Sequence, residues 1–169
     1  QLWCHFEVIY RSDEELADEQ RHSNAPLTLS IYAQNQDTFE IEIVGRRFFS
    51  AQGQALEADP SNPLYPVTDS SLPNFTLKSP RIFVNQDQIG LTWLENQNQS
   101  TQPSSPLQAY RVWSLTLDLT TLDPVLPAYP LTPHSVLSAQ TQWNLGRPSV
   151  LWSEKMDNQK ERLHFTRLT

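Results

Sequence analysis

The apolar residues of this chain come in short runs that alternate with polar ones at a period of two, the signature of half-buried β-strands. Residues 2–10 (LWCHFEVIY) alternate and are rich in β formers. Residues 27–33 form a second run. In residues 38–50 Phe39, Ile41 and Ile43 alternate with Glu40 and Glu42, which predicts one apolar and one charged face. The polar stretch 34–37 between them fits a hairpin loop, so the two strands should pair antiparallel. Residues 51–54 make a tight turn in which Gly53 is free to take a positive φ. The same grammar predicts strands at 81–84, 88–94, 110–119, 149–153 and 163–168, with loops at 85–87 and 96–106 and a charged turn at 154–161. One segment reads differently. Ser12 and Glu15 have capping-box spacing ahead of Leu16 and Ala17, which predicts a short helix over 12–22 or an acidic, solvated excursion.

A repeat organises these elements. Residues 47–71 align without a gap on residues 111–135, matching at Arg47/Arg111, Ser50/Ser114, Asp59/Asp123, Pro60/Pro124, Pro63/Pro127, Tyr65/Tyr129, Pro66/Pro130, Thr68/Thr132 and Ser71/Ser135. Nine identities in 25 positions are far more than unrelated segments give, and an internal repeat outranks local reading. Tyr32, Trp93 and Trp152 mark corresponding aromatic strand ends, each followed by an Asn-Gln pair. The small residues Cys4, Ser50, Ser114 and Thr166 occupy one position of a bulky-aromatic-small triplet. Within the repeat, residues 59–66 and 123–130 are proline-spaced and read as extended surface crossings.

The frame divides the chain into an N-terminal strand and acidic excursion (1–25), one unit at 26–79, a second at 80–147 and a partial third at 148–169, all in a single β domain or a fragment of a larger one. A unit of about 60 residues with three or four antiparallel strands cannot cover both its sheet faces alone and needs neighbours. Propeller-like stacking satisfies this, and so does a two-sheet β-sandwich. The frame is cut at both ends, so Leu2, Trp3 and Cys4 are expected to pair with a strand distant in sequence or with another chain.

The run Arg47-Phe48-Phe49-Ser50, a turn holding Gly53, a linker, Ser79-Pro80-Arg81-Ile82 and Thr92-Trp93 resembles the long-period β-propeller-like repeats of large extracytoplasmic bacterial proteins. The resemblance spans roughly residues 26–169 and implies a propeller-like fold and an extracytoplasmic location. The second copy departs from it, with Leu117 where the first has Gly53.

Composition narrows the function classes. With 12 basic against 19 acidic residues the net charge is −7, so no basic footprint for nucleic acid exists. No run approaches the apolar length that spans a bilayer. Cys4 is the sole cysteine, which excludes an intrachain disulfide, and His5, His22, His134 and His164 lack metal-ligand spacing. Asn74 and Asn98 head glycosylation triplets. No nucleophile elbow, phosphate loop or cofactor motif is present. Asp59 and Asp123, each before a proline, read as turn initiators rather than as a catalytic pair. Tyr65 and Tyr129 are the candidate binding residues: on proline-stiffened segments they can stack on sugars or peptides, and their fixed register equally suits a seam between units.

These readings converge on a mainly β, non-enzymatic binding or structural module of an exported or surface assembly, without cofactor or metal. Its expected partners are other protein chains or further copies of itself, with carbohydrate as a second class, and neither nucleic acid nor membrane insertion. The alternative is a fragment or subunit of a propeller-type carbohydrate-active hydrolase, whose two acids would converge in one cleft.

Overall fold

A computed structural model describes residues 2–8, 27–66, 76–96, 110–133, 136–144, 147–155 and 160–167. The predicted 12–22 helix, the 97–106 loop, His22, His134, Asn74 and Asn98 lie outside these. Thirteen strands are formed: β1 (Leu2–Val8), β2 (Leu27–Gln34), β3 (Ile41–Phe49), β4 (Ala55–Leu56), β5 (Ala58–Asp59), β6 (Asn62–Pro66), β7 (Thr76–Val84), β8 (Gln88–Asn96), β9 (Tyr110–Asp118), β10 (Pro124–Pro130), β11 (Ser138–Asn144), β12 (Arg147–Lys155) and β13 (Glu161–Arg167). Every strand pair is antiparallel and no helix occurs among the described residues. The chain divides into two compact units, Gln1–Asn74 and Phe75–Thr169.

The first unit holds a four-stranded sheet in the order β1-β2-β3-β4 and a two-stranded ribbon of β5 and β6. β1 pairs with the next strand of the chain, Trp3 opposite Tyr32 and Phe6 opposite Leu29, which corrects the expectation of a distant or intermolecular partner. Burial falls steadily along the β2–β3 hairpin. At its base Leu27 lies opposite Phe49 and Thr28 opposite Phe48, and all four are buried, so both faces of the sheet are covered there. Towards the tip both strands become exposed. The predicted apolar face of 38–50 is therefore only half right, because Phe39 and Ile41 project into solvent. Beyond β3, Gly53 takes φ 75° and the chain turns through bonds between Ser50 and Gln54.

The second unit packs two sheets face to face. One is the meander β10-β9-β8-β7, the other β11-β12-β13. Between them lie Leu94, Tyr110, Val112, Leu131, Val136, Val150 and Trp152, with Tyr129 and Ala139 at the rim. Thr92 and Thr141 hydroxyls meet at 2.9 Å across the gap, and the Trp143 ring of β11 stacks on Phe83 of β7 with centroids 5.7 Å apart. Gly90, opposite Phe83 in register, is where that indole comes down on the sheet. The other face of the meander carries Ile89, Leu91, Trp93, Leu115 and Leu117, all fully buried. β8 and β9 are thus covered on both faces, as continuous apolar strands require.

The proline-spaced segments differ from expectation. Residues 124–130 are a true strand, β10, but an edge one whose ladder to β9 is broken by two register shifts. Three prolines explain this placement, since a residue without an N–H is tolerated only at an edge or bulge. Residues 58–59 and 62–66 instead pair with each other. β7 is longer than predicted because it continues through an irregularity at Ser79, φ 53°, and Pro80. The 64-residue offset sets Arg47 near the end of β3 and Arg111 near the start of β9, so it does not carry strand onto strand.

Candidate binding surfaces

Exposed apolar side chains on a folded β protein are informative where they cluster. Two such places occur on described residues, one in each unit.

In the first unit it is the β2–β3 hairpin tip. Asn35 organises the loop: its side-chain oxygen accepts from the Asp37 and Thr38 N–H groups at 2.8 and 3.2 Å, and its carbonyl accepts from Phe39 N–H at 2.9 Å. Asn35 N–H donates to the Glu40 carbonyl, closing the loop, and the Thr38 hydroxyl donates to the Glu40 carboxylate. This network holds Phe39 at φ 60° with 71% of its surface exposed. A bulky residue in the left-handed region is a genuine outlier, and an exposed ring gains nothing from packing to offset it. Beside it lies an open groove of about 380 Å³ lined by Asn35, Glu40, Ile41 and Glu42. An aromatic face, an aliphatic side chain, an amide and two carboxylates thus share one rim.

In the second unit it is the outer face of β12 and β13. Leu151 lies directly opposite Phe165, and Leu163 comes two residues before Phe165 on the same face. Leu163 and Phe165 are 68% and 67% exposed. The inner face of the same strands is packed: the His164 ring stacks on Trp152 at 5.2 Å and its Nε2 lies 2.6 Å from the Glu154 carboxylate. His164 is thereby accounted for by packing and pairing.

A third polar cluster is structural in character. The Trp113 indole N–H donates to Glu95 at 2.5 Å, and the Arg111 guanidinium lies 5.7 Å above the Trp113 ring. Glu95 is only 3% exposed. Trp93 and Trp152 are buried as expected, whereas Trp113 is half-buried because it stands on the meander face with this charged pair. Sequence alone does not reveal the cluster, which depends on Glu95 and Arg111 being opposite each other in register.

The predicted binding residues sit in different surroundings. Tyr129, on β10, is half-buried against the core between the two sheets of the second unit. Tyr65 lies on β6, and its side chain is outside the described set. Asp59 accepts from the N–H and hydroxyl of Ser61 at 2.8 and 2.6 Å, a side-chain-closed turn. In the second copy that role passes to Asp118, whose carboxylate accepts from Thr120 and Thr121 N–H groups at 2.8 Å each. Those bonds, Thr121 first, hold its carboxyl below the ordinary value of 3.8. Among the described residues no group of three His, Cys, Asp or Glu side chains is placed to hold a metal ion, and no helix is long and apolar enough to cross a membrane.

No family model matches the chain, and no curated protein matches it. Two solved structures do, at low similarity. One, described as a complex of BT0996 with RGII, is 10% identical over 98% of this chain with a TM-score of 0.29. The other, described as "Glycoside hydrolase", is 10% identical over 96%, also with a TM-score of 0.29. This chain spans 45% of the length of each. Likeness at that level sets neither a family nor an activity.

Proposed function

We propose that the chain is a non-enzymatic binding or structural module of an exported or cell-surface assembly, built of propeller-like β units and making carbohydrate or protein contacts. The observation that carries this reading is Phe39, an aromatic ring displayed in a strained conformation beside a polar groove. Sugar rings bind in this way, with C–H groups against an aromatic face and hydroxyls donating to carboxylate and amide oxygens. On this reading Tyr129 serves the seam between sheets, and Tyr65 is a second stacking residue. The rival reading, a fragment or subunit of a propeller-type carbohydrate-active hydrolase, would require Glu95 to act as one of two acids. Its favouring observation is the burial of that carboxyl.

Saturation-transfer NMR with gluco-, xylo-, galacto- and arabino-oligosaccharides tests the proposal. Transfer to sugar C–H protons that disappears in Phe39→Ala and persists in Glu95→Gln supports it. Phe39→Gly should abolish transfer too while raising stability, because relief of left-handed strain gives back about 1 kcal/mol. Absence of transfer from every oligosaccharide would remove the carbohydrate arm, and turnover of nitrophenyl glycosides lost in Glu95→Gln would overturn the reading in favour of the hydrolase.

A further inference from the structure

We propose that β13 is a dimerisation edge, along which two copies of this chain pair antiparallel over Glu161–Arg167 about a two-fold axis at His164. This goes beyond the sugar-binding reading and does not depend on it.

The first observation is the open edge. In the order β11-β12-β13 the outer side of β13 has no strand neighbour among the described residues, whereas the two larger sheets each hold four strands. An unpaired edge offers a row of main-chain donors and acceptors, which natural proteins usually blunt with proline, bulges or lysine. β13 has none of these, and its ladder to β12 runs without a register shift.

The second observation selects the occupant. In an antiparallel pair, opposite residues share a face and interact as a unit. Folding ERLHFTR back on itself about His164 sets Glu161 against Arg167 of the second copy and Leu163 against Phe165. Both pairs occur twice by symmetry, all on the outer face, where Leu163 and Phe165 are most exposed. The result is an apolar centre, extended by Leu151 on β12, closed at each end by an opposite-charge pair. A slide of the axis to Leu163 puts Glu161 against Phe165, and a slide to Phe165 puts Leu163 against Arg167. Only the central register is complementary. On the inner face Arg162 meets Thr166, and His164 meets its own symmetry mate while held towards Glu154 in its own chain.

Self-complementarity gives a test that a merely sticky edge would not pass. In Glu161→Arg the facing pairs become Arg with Arg; in Arg167→Glu they become Glu with Glu. Sedimentation equilibrium of the whole chain should show a dimer that each variant weakens roughly tenfold or more, since two cross-strand pairs turn from attractive to repulsive. An equimolar mixture of the two variants should restore association as a heterodimer, and the double exchange in one chain should restore the homodimer. Unchanged circular dichroism spectra of the single variants confirm that folding is intact; if either unfolds, Phe165→Thr, which keeps β propensity, replaces it and should give a folded monomer. A wild-type chain that stays monomeric up to millimolar concentration overturns the proposal. So does a dimer indifferent to the single variants, or a mixture that stays monomeric.

Discussion

Gly90→Ala tests how the two sheets of the second unit are held together. A Cβ built at Gly90 would lie 2.6 and 2.7 Å from the Cζ2 and Cζ3 atoms of Trp143, closer than carbon atoms approach. The indole has little freedom to retreat, because its other contacts are the Phe83 ring stacked within 8° of parallel and a strand tied to the meander by the Thr92–Thr141 bond. Overpacking of this kind costs about 1–3 kcal/mol. For a chain of this size that lowers the melting temperature by roughly 2–12 °C. The expected sign depends on the ring. With Trp143→Leu already in place the clash is gone, and alanine should be the better strand residue by about 0.5–1 kcal/mol, since glycine carries the larger entropic cost. Urea denaturation of the wild type, both single variants and the double variant closes a double-mutant cycle that isolates the coupling. If Gly90→Ala stays within about 0.5 kcal/mol of wild type, or costs the same with and without the indole, the close approach is not what requires glycine there.

Two further outcomes follow from polar contacts. Trp113→Phe keeps an aromatic ring but removes the N–H donor to the buried Glu95, and should cost about 1–3 kcal/mol in urea unfolding; a loss below about 0.5 kcal/mol would show that Glu95 does not depend on that bond. Asp118 has a folded-state pKa below its ordinary 3.8, so its contribution to stability is complete above that value and lost as pH falls through the lowered one; Asp118→Asn should flatten the acid side of the stability curve below about pH 4, and an NMR titration placing the Asp118 carboxyl at or above 3.8 would refute the assignment.

Much of the architecture was legible because its causes are local. Alternation at period two marks a strand wherever it occurs, and the runs at 27–33, 88–94 and 110–119 became β2, β8 and β9. Gly53 had to take a positive φ to close its turn, and it does. The prolines of 124–130 dictated an edge position even though they did not forbid a strand. Other features have no local cause. β11, with Gln140, Thr141 and Gln142 at its centre, reads as polar loop in the sequence and is a strand because β12 pairs with it residue for residue. Phe39 and Phe49 are the same residue type on the same hairpin, one exposed and one buried, because only the base of that hairpin is covered. Alternation assigns residues to two faces but cannot say which face meets another sheet. That choice also fixed Trp143 over Gly90, Glu95 under Trp113 and Leu163 and Phe165 in solvent. Each depends on register between strands distant in sequence, set by the packing of whole sheets.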